Sequence, residues 1–287
     1  MTYANPVSSS PTGKELLRST WGLLRQDREL LWLPVLATVG ALIAAGVLFA
    51  PGFALGYGLG NGDAGAVLGG ALAAFGSGAI AIYFQAALVI GANQRADGGD
   101  PTVRGVLIEA WALRARILKW ALVSTTVGVV IRTLEQRLGV VGRIIGFLGG
   151  VAWAIATFLV VPVLVAEDLG PVDAVKRSSQ VLKSTWGTSV RSTLRFGLIQ
   201  LAVLVPAIVV IFIGAAMISS GGAAAIVLGV VLLLAAVLVI LAVSMLASAV
   251  TGYARALIYR YATGAPVQGI SPALFAGAFT PKKSRRF

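Results

Sequence analysis

Long apolar stretches alternate with short polar ones along the whole chain. Residues 30–62 and 64–94 each contain no charged residue, and each exceeds the roughly 20 residues that cross the hydrocarbon core of a bilayer. They predict span one, 30–49, and span two, 64–93, joined by a glycine-rich external turn at 51–62. Pro34 lies inside span one, where neighbouring helices of a membrane bundle can accommodate it. Further apolar stretches at 144–166, 196–218 and 225–255 predict spans four, five and six. Span three is less regular. Its charge-free run, 120–131, is twelve residues, about 18 Å of helix and too short to cross. Either the helix continues to residue 138, embedding Arg132, Glu135 and Arg137 with Arg132 and Glu135 placed to pair at i, i+3, or the segment is a re-entrant or outer interfacial helix.

The polar stretches have a periodicity of their own. Pro171 to Arg191 reads PVDAVKRSSQVLKSTWGTSVR. Pro171 suits the first helical position and Asp173 the first turn. Val172, Val175, Leu182 and Trp186 fall near one face, with Lys176, Gln180 and Lys183 near another, as in an interfacial amphipathic helix. Residues 181–187, VLKSTWG, repeat 16–22, LLRSTWG, with five identities. A similar helix is expected from Thr12, where Thr12 and Glu15 fit a capping box and Leu17, Trp21 and Leu24 share a face. A third is expected after Asp100, as cap, and Pro101, with an apolar stripe of Val103, Val106, Leu107, Ala110, Leu113 and Ile117. Small residues at every fourth position of span two (Gly65, Gly69, Ala73, Ser77, Ala81) and span four (Gly142, Gly146, Gly150, Ala154) form ridges that let another helix approach closely. The pattern predicts an all-α fold: a polytopic transmembrane helix bundle of about six spans with cytoplasmic interfacial amphipathic helices. Residues 1–11 read as a disordered tail, 12–265 as one transmembrane domain and 266–287 as a basic cytoplasmic tail. The domain divides into three divergent units, about 12–97, 98–167 and 168–265.

Composition sharpens this picture. The chain is 57% hydrophobic and 12% charged, half the charge share of a soluble domain. The net charge of +12 would suggest nucleic acid in a soluble protein; here its placement matters more. Twenty of the 23 Lys and Arg lie before span one, at 95–119, at 176–195 or from 255 onward. The positive-inside rule then puts both termini in the cytoplasm of a cell whose inner membrane holds the protein. Only Arg132, Arg137 and Arg143 fall on the expected outer side. No cleaved signal is read, since the first apolar run is too long for one. The chain has neither Cys nor His, which excludes thiolate and imidazole chemistry and the commonest zinc ligands.

Candidate chemistry is sparse. Thr12-Gly13-Lys14 lacks the remainder of a phosphate loop. Glu167 and Asp168 are too few for a Mg²⁺ or Ca²⁺ site, and capping the following helix is the favoured reading. Ser244, Ser248, Thr251 and Arg255 recur at spacings of four, three and four and share one face of span six, expected to point into the bundle. That face either lines a solute path ending at Arg255, or its hydroxyls bond back to their own helix while Arg255 marks the membrane boundary. The second weighs more, because no intramembrane carboxylate accompanies the line. Gln85 and Gln200 read as interhelical glue. No catalytic, cofactor-binding or metal-binding residue is assigned. The basic interfacial helices carry the stronger expectation: Arg18, Trp21, Trp111, Lys176, Lys183 and Trp186 are placed to contact anionic lipid headgroups or a membrane partner, with each cation worth about 1 kcal/mol near an acidic leaflet.

The stretch 161–187, VPVLVAEDLGPVDAVKRSSQVLKSTWG, resembles a family of uncharacterised prokaryotic six-helix membrane proteins, a domain of unknown function. The layout of spans and interfacial helices also resembles the membrane domain attached to some glycerophosphodiester phosphodiesterases. Neither resemblance implies a reaction or a catalytic residue. The expected function is that of a non-enzymatic membrane scaffold that binds lipids, a membrane partner or further copies of itself, and not nucleic acid. The alternative is a channel or transporter that uses the polar face of span six.

Overall fold

The computed structural model describes Gly22 and residues 27–60, 62–186 and 190–265, excepting the side chains of Arg28, Val140 and 184–203. Among the described residues the fold is an all-α membrane helix bundle without strands. A 3-10 turn, Arg28–Leu31, leads into α1 (Trp32–Gly58) and α2 (Gly62–Ala96). Then come α3 (Val103–Ala112), α4 (Arg114–Arg137), α5 (Gly139–Ala156), α6 (Val160–Ala166), α7 (Pro171–Trp186), α8 (Val190–Ser219) and α9 (Ala223–Ala262). Five segments are long and apolar enough to cross a membrane: 29–58, 62–96, 114–137, 141–166 and 223–262. Leu204–Ser219 is a shorter apolar helix.

Three antiparallel hairpins carry these segments: α1 with α2, α4 with α5, and α8 with α9. Small residues hold each one together. A Cβ on Gly52 would lie 2.7 Å from the Cα of Gly69, and one on Gly56 would collide with the backbone of Gly65. The ridge read in span two is therefore met by a second glycine pair on α1. Gly142 and Gly146 of the second ridge receive Leu134 and Glu135 of α4 and Leu138 of the turn that follows, while Gly150 faces open space. Gly214 and Gly229 meet backbone to backbone in the third hairpin.

Several expectations need correction. Pro51 does not open an external turn: α1 runs through it to Gly58, and the reversal is made at Gly60, whose φ of +84° only glycine adopts readily. Pro34 sits in the first turn of α1, where its missing N–H costs nothing. Span three is one continuous helix from Arg114, eighteen residues before Arg132. Arg132 and Glu135 do not pair, and the Glu135 side chain lies over Gly146. Span four is broken at residues 157–159 between α5 and α6. Pro162 explains the break, since it can donate no bond to the carbonyl of Phe158 and its ring clashes there.

Buried side chains concentrate at one end of the bundle. One cluster joins Leu30, Leu33, Ala86 to Ile90, Val106, Ala110, Ala249 and Tyr253. A second joins Trp120, Leu159, Val160, Leu164, Ala174, Val181, Leu182 and Ile258. The remaining helix surface is apolar and exposed, as at Leu42, Val47, Phe147, Phe212 and Leu238, which suits contact with lipid tails. At 40 residues, α9 is about 60 Å long, twice the hydrocarbon thickness. Its uncharged stretch ends at residue 254, so about two turns, 255–262, enter the packed, basic end.

Candidate functional site

Ion pairs at the basic end gather around α9, one of them on a buried carboxylate. Asp27, just before the 3-10 turn, has a side chain only 1% exposed. Arg95, at the end of α2, holds it with two guanidinium nitrogens, Nε at 3.0 Å. The Tyr253 hydroxyl of α9 donates to the same carboxylate at 2.8 Å. Arg95 also reaches Asp100 at 2.7 Å, so Asp100 is spent on this pair and the cap of α3 is Thr102, whose Oγ1 accepts from Gly105 N at 3.2 Å.

A second arrangement repeats the chemistry two turns further along α9. The Tyr259 hydroxyl donates to Glu167 at 2.5 Å and Arg177 Nε donates to the same oxygen at 2.8 Å. Asp168 pairs with Arg116 at 2.9 Å. Arg116 also donates to the carbonyls of Leu164 and Glu167, at 3.1 and 3.3 Å, closing the C-terminal end of α6. Glu167 and Asp168 thus tie four helices together and do not cap α7, whose first turn is closed by Ala174 N on the Gly170 carbonyl. Burial pushes the Glu167 carboxyl up, but the hydrogen bonds from Tyr259 and Arg177 and the charge of Arg177 outweigh it and leave its pKa below the ordinary carboxylate value. The Glu167 hydrogen bond is the main reason that Arg177 is raised. Asp97, just past the end of α2, and Arg260 of α9 add a further pair.

The two described interfacial helices differ in what they leave outside. Pro171 does begin α7, but the buried stripe is Ala174, Ser178, Val181 and Leu182, while Val172 is exposed. Ser178 is fully buried, and its hydroxyl accepts the backbone N–H of Leu159 at 3.1 Å, satisfying the amide left open by the break between α5 and α6. The apolar face of α7 is therefore occupied by protein. Lys176, paired with Asp173 at 3.2 Å, and Lys183 are exposed on its other side. The α3 helix buries only Val106 and Ala110. Trp111 is 61% exposed and Ile108 63%. The Arg114 guanidinium lies 5.6 Å from the Trp111 ring centroid, and Tyr83 meets that ring edge-on at 6.3 Å. Arg104 and Lys119 are exposed nearby in the chain.

Of the contacts expected from sequence, Trp111, Lys176 and Lys183 lie at this end. Arg18, Trp21 and the side chain of Trp186 lie outside the described residues, as do the first interfacial helix, the side chain of Gln200 and the basic tail. The line of hydroxyls does not form the packed face of α9. Ala249, Gly252, Tyr253 and Ala256 do, while Ser244 and Thr251 are half-buried and Ser248 exposed. Among the described residues no group of three acidic side chains could hold a metal ion.

A family model covers residues 76–269, from the middle of α2 past the end of α9. The chain belongs to a family of unknown function, DUF6159. The segment shared with DUF6159 holds α3, α7, the broken span and the whole Glu167, Arg177 and Tyr259 arrangement. Asp27 and the first half of the first hairpin lie outside it. No curated protein and no solved structure matches the chain.

Proposed function

We propose that this protein is a non-enzymatic component of the prokaryotic cytoplasmic membrane, with its basic end in the cytoplasmic leaflet, where it binds anionic lipid headgroups at the corner between α3 and α4. The exposed Trp111 ring, stacked by Arg114 beside Ile108, carries this reading. An indole at the headgroup level with a guanidinium on its face combines an interfacial anchor with a phosphate donor. Arg104 and Lys119, exposed on the same two helices, add positive charge. The α7 helix contributes through Lys176 and Lys183 alone, because its apolar stripe is spent on α6 and α9. Both termini are cytoplasmic in this reading, since the charged segments gather at one end and the α1–α2 and α8–α9 turns are nearly free of charge.

Native mass spectrometry of the protein released from nanodiscs of mixed phosphatidylglycerol and phosphatidylcholine tests it. The wild type is expected to retain phosphatidylglycerol preferentially. The triple variant Arg104→Gln, Trp111→Ala, Arg114→Gln is expected to lose roughly tenfold or more of that preference without loss of folding. An unchanged preference would contradict the assignment of this corner.

A further inference from the structure

Arg255 differs from the paired arginines of the packed end. Arg95, Arg116, Arg177 and Arg260 each hold a carboxylate there. Arg255 lies on α9 between Tyr253 and Tyr259, yet among the described residues no carboxylate is within ion-pair reach of it. Among the described residues its Nε is buried with no hydrogen-bond partner, while the residue as a whole is half-buried, and its guanidinium lies 4.8 Å from the ring centroid of Phe158, at the break between α5 and α6. The carboxylates nearby are already engaged: Asp27 and Asp100 by Arg95, Asp97 by Arg260, Glu109 by Gln94, Glu167 by Arg177 and Tyr259, Asp168 by Arg116. A half-buried cation without a counter-charge still carries a desolvation cost. The fold keeps this one while distributing its acids elsewhere, and an anion from outside the chain would complete it.

The surroundings indicate which anion. Residues 223–254 carry no charge, so Arg255 is the first charge met where α9 leaves its apolar stretch, the depth of lipid phosphates. Thr251, at i−4, is half-buried on the same face of the helix and offers a hydroxyl donor. A planar guanidinium matches two phosphate oxygens at once. We propose that Arg255 anchors a phosphate-binding subsite, with Thr251 as hydroxyl donor, that takes either the phosphodiester of an anionic lipid or free phosphate. This site is separate from the α3–α4 corner and stands whether or not that corner binds lipid.

The test uses the full-length protein, wild type and Arg255→Gln, with two probes: phosphatidylglycerol, read by native mass spectrometry after delipidation, and inorganic phosphate, read by thermal shift in neutral detergent. The wild type is expected to keep one phosphatidylglycerol that Arg255→Gln binds at least tenfold more weakly, while Arg255→Lys keeps part of the affinity. Stabilisation of the wild type by millimolar phosphate, absent in Arg255→Gln, would assign the site to the free anion. Should Arg255→Gln fail to fold, Thr251→Val keeps the guanidinium, and a severalfold weaker retention at unchanged melting temperature is expected. The site is overturned if the wild type binds neither probe, or if the folded variants bind as it does. The α3–α4 triple variant is expected to retain this lipid, which separates the two assignments.

Discussion

At the scale of single residues, charge is used inward. Asp27, Arg95, Tyr253, Glu167, Arg177 and Tyr259 were not singled out for these roles in the sequence, and the reason is separation. Asp27 and Tyr253 are 226 positions apart and Glu167 and Tyr259 are 92 apart, so no local spacing marks either pair. Ser178 was equally hidden, because a serine on the inner face of an amphipathic helix breaks the apolar pattern that identifies the face. The available signal was indirect: acids, arginines and tyrosines collected where the apolar stretches end. The Glu167 arrangement has a pH signature. Its folded pKa lies below the ordinary value, so its contribution to stability is full above the unfolded glutamate pKa of about 4.3 and is lost as pH falls through the folded value. Hydrogen exchange corrected for its intrinsic rate should show α7 protection unchanged from about pH 7 to 5 and falling only in stronger acid. In Glu167→Gln, protection at neutral pH should be lower and that acid limb flattened. A limb that persists unchanged in the variant would remove Glu167 from this role.

Among the helices, the sequence was most informative where small residues repeat. The ridge Gly65, Gly69 was legible because a spacing of four places residues on one face, and it does meet a partner, Gly52 and Gly56. That partner pair was missed because Pro51 was read as a turn, although a helix in a bundle can carry proline where its neighbours compensate. The reverse error occurred at span four, where hydropathy ran smoothly across Pro162 while the backbone did not. Gly56→Ala puts a methyl group into the Gly65 backbone, which cannot yield as a side-chain tip would. It should cost about 1–3 kcal/mol, read as a lower melting temperature in detergent. Gly46→Ala, with nothing within 4 Å of the new Cβ, should be neutral or slightly stabilising. Equal effects at the two positions would refute the close glycine contact.

On the scale of the whole molecule, the protein is a set of apolar hairpins gathered at one polar, basic end. Hydropathy and the placement of Lys and Arg made that division legible, since both depend on composition along the chain. They gave no means of telling that α7 would be sealed into protein while α3 keeps an open aromatic corner, because the two helices have similar apolar periodicity and differ in what packs against them. The central claim is that the α3–α4 corner lies at the cytoplasmic headgroup level, and site-directed labelling tests it directly. The chain has no cysteine, so Ile108→Cys and Leu59→Cys each supply a single thiol, at opposite ends of the first half of the bundle. Both native positions are exposed. In oriented vesicles of anionic lipid, a membrane-impermeant maleimide should modify the position 108 thiol only from the cytoplasmic side and the position 59 thiol only from the other. A fluorophore at 108 should be quenched most by labels at headgroup depth. Reaction of both thiols from the same side, or a position 108 fluorophore surrounded by bulk water, would contradict the claim.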